Sequence, residues 1–559
     1  MSARLPANRY PITLMDWAPF LFTRMLYCGE PNPHGEVRLR SLMLVLILPA
    51  LLLYPTLNYR LFEPDEGRYA QIPREMLAAG EWVVPTLQGI AYLDKPPLFY
   101  WLVAMSYQAF GVTEIAARLV PAIAVHLTIL GVYLLGRRSI GERGALWAAL
   151  FLMVSPGYLG VARLLLLDGL LTLWVTLSML CAFEAVRTGR LLWGWWWAAA
   201  IASGLGFLTK GPISEVLLFP PLLAFAWLSR GASARVGWRA TLGFGLLVLL
   251  VNCPWYLGIL FKQPEFLGYF FWQHNVMRFL QPFDHLQPVW YYVPILLGGF
   301  FPAIVIAGSY LWQHLGTSMS TSVRCSLSGG FWFLAGCWCV FFFSCSGSKL
   351  PTYILPAFPP LCLALGDYIA RSHWDSHWAT RLFLGSGALV LAVAIHLIIP
   401  WYAHWRSPMV DPALVERFVG DPAVPVLTYP RNVDSVAFAL GRSDLQQVRS
   451  TELNQAFVDS HFRARTVVLF THQHSYSAFQ QALPASLRVV EHASLRRQTG
   501  WGRWADRIVG ETPWGLCDIA VIEPVRLQSR SSQPAHGILV DIGDRQKNTN
   551  DHQDNHPGN

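Results

Sequence analysis

Lys95, Lys210, Arg278 and Lys349 each border an apolar stretch of this chain. Charge near a bilayer is costly and tends to persist where it has a task. Four cations beside a hydrophobic cavity would suit a phosphate carried on a lipid. Lys95 lies in Asp94-Lys95-Pro96-Pro97. Two prolines in a row remove two backbone donors and stiffen the chain, which fixes the side chains before them. The competing reading is a surface Asp94–Lys95 pair of little value. Asp168 follows Arg163 at the end of an apolar segment, so it is either a functional carboxylate or Arg163's ion-pair partner. Lys210-Gly211-Pro212 has Glu215 as its nearest candidate partner. In FWQHNVMRF (271–279), His274 and Arg278 have the i, i+4 spacing of one helical face, although a histidine among aromatics is often structural. In SGSKLPTYILPAFPP (346–360), Lys349 and Tyr353 stand among prolines. Irregular backbone in a membrane is tolerated where it lines a cavity, whereas a snorkelling lysine and an interfacial tyrosine would be the plain alternative. Asp65 opens an amphipathic stretch in which Tyr69, Ile72, Met76 and Leu77 share a face. Such a helix would lie along the membrane surface. Asp65 would cap it, aim at a substrate, or both.

The order of these motifs carries a resemblance. The stretch from Glu63 to Trp101 has an acidic pair followed by Arg-Tyr, then Gly-x-Trp-x-x-Pro, then Asp-Lys-Pro-Pro-Leu-x-Tyr-Trp. It resembles the first periplasmic loop of the lipid-linked-sugar transferases, and above all of the lipid A aminoarabinose transferases, with protein O-mannosyltransferases more distant. The Lys-Gly-Pro motif, the His-containing loop and the Ser-Lys-Leu-Pro-x-Tyr-x-Leu-Pro signature continue it over some 300 residues. The resemblance implies functional aspartates at Asp65 and Asp168 and phosphate or lipid-sugar contacts at Lys95, Lys210, Arg278, Lys349 and Tyr353. It also implies a divalent metal, with zinc as the candidate, held by Asp94 and His274. The family commonly has Glu where this chain has Asp94. Two protein ligands are fewer than a structural zinc site uses, so water or substrate phosphate would complete the shell.

Such residues need a membrane scaffold, and composition supplies one. Hydrophobic residues make up 53% and charged residues 14%, and mean hydropathy is +0.36, outside the soluble globular range. Eleven segments approach the length of about 20 residues that a crossing helix needs: 41–59, 119–136, 145–162, 164–183, 191–209, 212–228, 240–261, 289–312, 327–346, 352–370 and 383–402. Residues 98–111 are apolar but short, and read as juxtamembrane or re-entrant. No cleavable signal peptide is expected, because the first apolar run follows a polar, arginine-bearing lead. With the N-terminus inside, Arg137, Arg138, Arg143, Arg187, Arg190, Arg230, Arg235, Arg239, Arg324, Arg371 and Arg381 all fall in inner loops, which is the positive-inside pattern. The same topology brings every candidate site residue to the outer face and leaves the C-terminus outside.

The expected fold is therefore a mainly α, polytopic membrane protein of about 11–13 transmembrane helices with a small C-terminal α/β domain. The expected organisation is a cytoplasmic segment 1–40 and a membrane domain 41–402 with outer loops 60–118 and 262–288. An outer domain 403–527 and a disordered tail 528–559 follow; the tail's polar composition cannot pay for packing, and His536, His552 and His556 in it would bind metal weakly at most. The formal charge of +8 fits basic inner loops, and no nucleic-acid module accompanies it. Of nine cysteines only Cys517 lies in the outer C-terminal region, so no disulfide framework is expected. The resemblance implies transfer of a sugar, aminoarabinose, from undecaprenyl phosphate to lipid A on the periplasmic face of the bacterial inner membrane. Another lipid-linked sugar or a protein hydroxyl acceptor is the alternative enzyme reading. A lipid or sugar transporter is the non-enzymatic one, disfavoured because transporters place their polar groups near the membrane midplane.

Overall fold

The computed structural model describes residues 38–229, 231, 233–281, 285–308, 326–372, 378–448, 462, 464–472, 475–495 and 516–525. The segments 1–37 and 528–559, the three tail histidines, Arg230 and Arg324 lie outside them, as does the Arg381 side chain.

Apolar runs become helices at each expected place. They are α1 (Leu39–Leu53), α4 (Glu114–Val154), α5 (Leu167–Val186), α6 (Trp193–Lys210), α7 (Ile213–Leu228), α8 (Trp238–Lys262), α9 (Tyr292–Gly299), α10 (Leu327–Cys345), α11 (Phe358–Arg371), α12 (Trp378–Val393) and α13 (Ile399–Arg406). Between α1 and α4 come two shorter helices, α2 (Asp65–Ala79) and α3 (Leu98–Phe110), separated by a hairpin of β1 (Thr86–Leu87) and β2 (Ile90–Ala91). Six helical segments among the described residues are long and apolar enough to cross a membrane, with α1, α7 and Val289–Gly299 as shorter apolar helices. The two expected segments 119–136 and 145–162 begin as two helices within α4, which is broken in the expected inner loop at Gly141, whose φ of 77° is a conformation that glycine adopts without strain. Segment 289–312 is interrupted too, because α9 stops at Gly299. Residues 98–111 form the 13-residue α3, too short to cross.

One core fills the bundle, with α5 packed on α4 and α6, and α11 against α4 and α10. A second core joins α2 and α3 through Tyr69, Ile72, Met76, Phe99, Tyr100 and Tyr107. At the end of the bundle where the arginines cluster, the buried Glu184 accepts from Arg138 and Arg187, so the bend of α4 and the end of α5 are tied by charge.

Beyond α13 the hydrophobic period shortens, and a five-stranded mixed sheet forms with order β4-β3-β5-β7-β6. Its strands are β3 (Val426–Tyr429), β4 (Gln446–Gln447), β5 (Thr466–Phe470), β6 (Leu487–Ser494) and β7 (Asp518–Pro524). Helices α14 (Pro412–Val419), α15 (Asp434–Leu440) and α16 (Ser475–Ala482) accompany it. β3 pairs in parallel with β4 and β5, and β7 pairs antiparallel with β5 and β6. Separate clusters cover the two faces, as strands buried on both sides require. Cys517 and the six other described cysteines are in the thiol form.

The amphipathic stretch after Asp65 departs from expectation. Its apolar face is buried on α3, but polar residues on other faces are buried as well: Glu66 against Arg118, Glu75 under the β1–β2 hairpin, and Gln71 against the Arg442 carbonyl just beyond α15, which packs over α2. A helix at a membrane surface would keep that polar side wet; here a domain distant in sequence covers it.

Candidate active site

A cavity of about 350 Å³ opens at the end of the bundle opposite the arginine cluster, and the motifs separated in sequence meet in its wall. Lys95, Asp168, Lys210, His274, Arg278 and Tyr353 line it together with Ile213, Val216, Phe279, Leu280, Phe342 and Phe343. Proline-stiffened chain delivers Lys95 just before α3, the N-terminus of α5 delivers Asp168, and the last turn of α6 delivers Lys210.

Ion pairing inside the cavity differs from the local alternatives. Lys210 Nζ donates to Asp168 Oδ1 at 2.5 Å, and its ammonium lies 4.7 Å from the centre of the Tyr353 ring, within cation–π range. Asp168 is therefore not Arg163's partner; Arg163 donates to the Thr56 carbonyl instead. Glu215 is not Lys210's partner either, since it accepts from Ser203 and Ser214.

His274 and Arg278 reach the cavity by a different turn from the expected one. Gly268–Met277 is π-helical, a wider coil that often marks functional sites. This stretch is seated by Phe266 and Phe270 packing on Trp255 and Ile259 of α8. Lys95 Nζ lies 2.5 Å from His274 Nε2. Burial, then the Lys95 charge, pushes the His274 pKa down to about 3 against the pull of Asp94, so the ring is neutral and its Nε2 accepts from Lys95. Burial and the neighbouring Lys210, with Arg278 adding to them against Asp94, lower Lys95 to about 7. A cluster of cations that suppresses its own charge is set up for an anion from elsewhere.

Tyr269 and Tyr92 were not singled out in the sequence, yet they hold the acid beside Lys95. Tyr269 donates to Asp94 Oδ1 at 2.6 Å. Burial works to raise the Asp94 pKa, but the Tyr269 hydroxyl, with the Lys95 charge and the Tyr92 hydroxyl, holds it below the usual carboxylate value. Tyr92 also meets Arg68, and Arg68 pairs with Asp65 at 3.6 Å. A polar chain thus runs from Asp65 through Arg68 and Tyr92 to Asp94. Tyr269 lies five residues before His274, the spacing of a π turn, which was the signal available.

Asp65 is the first residue of α2, and the capping position before it is held by Pro64, so Asp65 is not the N-cap. It is half exposed, outside the cavity wall but in electrostatic reach of Asp168 and His285. Its neighbour Glu66 does structural work: fully buried, it pairs with Arg118 at 2.6 Å and accepts from the Leu165 amide. Lys349 is the one expected phosphate contact that turns away. It is buried and donates to the carbonyls of Gln287 and Ser346, clamping the loop before α9 to the loop after α10, while Ser346, Ser348 and Tyr353 of the same motif line the cavity.

A divalent ion would find one carboxylate and one neutral imidazole in Asp94 and His274. No group of three or more His, Cys, Asp or Glu side chains able to hold a metal occurs among the described residues. The donor chemistry fits an ion whose remaining ligands are substrate oxygens or water, provided Lys95 yields its place on His274 Nε2.

The chain is similar to several known proteins. The family model described as dolichyl-phosphate-mannose-protein mannosyltransferase matches residues 94–257. The chain is 34% identical over 359 residues to the undecaprenyl phosphate-alpha-4-amino-4-deoxy-L-arabinose arabinosyl transferase of Edwardsiella ictaluri, covering 61% of this chain and 62% of that one. It is 32% identical over 392 residues to the transferase of the same name from Pseudomonas aeruginosa LESB58, covering 67% and 68%. It thus spans about three-fifths to two-thirds of the length of such curated relatives. The crystal structure of ArnT from Cupriavidus metallidurans bound to undecaprenyl phosphate superposes with a TM-score of 0.66 at 20% identity, over 87% of this chain and 98% of that one, and shows the shared fold. By this similarity the chain belongs to the family of undecaprenyl phosphate-alpha-4-amino-4-deoxy-L-arabinose arabinosyl transferases.

Proposed function

We propose that this protein transfers aminoarabinose from undecaprenyl phosphate to lipid A at the periplasmic face of the bacterial inner membrane. The observation that carries the reading is the cavity that Lys95, Lys210 and Arg278 line together with phenylalanine and aliphatic side chains. That pairing of fixed positive charge with apolar surface suits a phosphate at the head of a polyprenyl chain, and the names of the relatives supply the sugar.

In such a donor the bond from the anomeric carbon to the phosphate oxygen breaks, an acceptor oxygen forms the new bond to that carbon, and the leaving group is an anionic lipid phosphate. Stabilising it needs preorganised cations more than a general acid. Lys210, held by Asp168, and Arg278 would receive the developing charge. Lys95, discharged in part by its neighbours, would regain its proton beside the phosphate. A lipid A phosphate acceptor is already ionised, so Asp65 and Asp168 would orient more than deprotonate; a hydroxyl acceptor would require one of them as base. A divalent ion held by Asp94 and His274 would supply Lewis-acid polarisation of phosphate oxygen.

The test is differential binding. Purified protein should bind undecaprenyl phosphate far more tightly than undecaprenol, and Lys210→Met together with Arg278→Met should erase the difference. Equal affinity for the phosphate and the alcohol in the unaltered protein would overturn the proposal.

A further inference from the structure

The β1–β2 hairpin that leads into Asp94 and Lys95 is too small to hold itself. Its strands pair Thr86 with Ala91 and Leu87 with Ile90, and Ile90 is 74% exposed; a two-stranded hairpin alone is marginal in water. The turn residues Gln88 and Gly89 have φ of 53° and 73°, the left-handed pair that a type I′ turn demands. Glycine takes that conformation freely. Glutamine does not, and it stands outside the Asn, Asp and Gly residues that such a turn prefers. A strained residue persists where its surroundings over-determine it.

Two sets of contacts hold this turn. From α2, the buried Glu75 accepts from the amides of Gln88 and Gly89 and from the Thr86 hydroxyl. None of those bonds requires a glutamine at position 88. The glutamine side chain instead meets the sheet-bearing domain: Nε2 donates to Asp434 Oδ1 at 3.0 Å, and Oε1 accepts from the Leu445 amide at 3.2 Å. Both partners are buried, Asp434 at the start of α15 and Leu445 just before β4. A primary amide serves the carboxylate and the N–H at once, which neither a carboxylate nor an ammonium could. The domain is fixed on α2 independently, since Arg74 donates to the Gly441 carbonyl and Ser443 Oγ, and Gln71 to the Arg442 carbonyl. Past the hairpin, the Tyr92 amide donates to the Pro85 carbonyl at 2.8 Å. The Tyr92 hydroxyl meets Arg68 and Asp94, and Lys95 follows in the cavity wall.

We propose that Gln88 is a positioning residue: its side chain latches the hairpin to the sheet-bearing domain, and through the chain from Ile90 to Lys95 that domain sets where Asp94 and Lys95 stand in the cavity. This rests on the reading of Lys95 as a residue of the transferase site. Gln88→Gly deletes both side-chain hydrogen bonds while suiting the turn backbone better than glutamine does, and Arg74 and Gln71 keep the domain docked. The hairpin alone is released. Gln88→Glu sets a second carboxylate against Asp434. Adding Asp434→Asn to it returns a donor to the contact, keeps the net charge of the pair, and leaves an acceptor for the Leu445 amide.

Hydrogen exchange on the full-length protein in lipid nanodiscs tests the latch without substrate. Exchange over 86–93 and at the Leu445 amide should quicken about tenfold in Gln88→Gly, the effect of losing two hydrogen bonds, and return to the unaltered rate in the Gln88→Glu, Asp434→Asn double variant. Transfer assayed alongside should lose about tenfold in kcat in Gln88→Gly and in Gln88→Glu, because a small misplacement of a charged group is costly. Affinity for undecaprenyl phosphate, held by Lys210 and Arg278, and the melting temperature should both stay level in Gln88→Gly, and the double variant should recover kcat. Unchanged exchange in Gln88→Gly, or a loss in Gln88→Glu that Asp434→Asn does not repair, would overturn the latch. Quickened exchange with full kcat, or a kcat loss matched by a lower melting temperature, would overturn its link to Asp94 and Lys95. The expected exchange with no transfer even by the unaltered protein would instead refute the functional reading and leave the latch standing.

Discussion

Removing Lys210 and Asp168 singly and together should separate their structural and chemical roles. The pair is 2.5 Å long, with side chains only 18% and 11% exposed. Its gross attraction is about 7 kcal/mol at an effective dielectric of ~20. Much of that offsets desolvation, so the informative quantity is the cost of orphaning one partner, about 3–5 kcal/mol for a buried pair. Lys210→Met leaves the Asp168 carboxylate stranded among apolar groups and should show that cost. Asp168→Asn should cost less, because the Tyr353 ring still faces the ammonium at 4.7 Å. The double variant should recover stability relative to Lys210→Met, with a coupling of about 1–3 kcal/mol, readable from denaturation midpoints in mixed micelles. Transfer should follow another order: Lys210→Met and the double variant should both lose about 10²–10³ in kcat, the usual cost of a preorganised charge in a polar site. Stability rescued without activity is the expected signature. Additive stability costs, or a double variant as active as the unaltered enzyme, would refute the reasoning.

Asp65→Asn should abolish transfer and change stability by less than about 1 kcal/mol, since a half-exposed carboxylate 3.6 Å from Arg68 contributes little to folding; a lower melting temperature with full activity would make its role structural. Lys349→Met should destabilise the protein by about 1–3 kcal/mol, because the Gln287 and Ser346 carbonyls lose their donor. Its loss of undecaprenyl phosphate affinity, measured by direct binding, should be smaller than that of Lys210→Met. Elemental analysis should find zinc or another divalent metal in the purified protein, and less in Asp94→Ala and His274→Ala, since two protein ligands leave little redundancy; metal-free protein with full activity would remove the ion from the mechanism.

The membrane scaffold was legible because a crossing helix writes itself as about 20 apolar residues in a row, so that the break at Gly141 falls in an expected loop while the stop at Gly299 escapes that signal. The cavity was legible as a set of motifs but not as a set of contacts. Asp168 had an arginine five residues before it and Lys210 a glutamate five residues after it, yet the two pair with each other across 42 positions. Sequence spacing reports neighbours on one helix and is silent about neighbours on two. The π coil at Gly268–Met277 escapes for a related reason: under α periodicity Tyr269 and His274, five residues apart, fall on different faces. Lys349 kept its motif but not its expected target, because a buried ammonium near irregular backbone finds carbonyls first. The second face of α2 was hidden because the helix that covers it begins at Asp434, more than 350 residues further on.

The central claim is the reaction itself. Purified protein incubated with undecaprenyl phosphate aminoarabinose and lipid A, with products weighed by mass spectrometry, tests it most directly. Lipid A heavier by one aminoarabinose unit and a matching release of undecaprenyl phosphate are expected, both absent in Lys210→Met. Unmodified lipid A with intact donor, from protein that binds undecaprenyl phosphate normally, would contradict it.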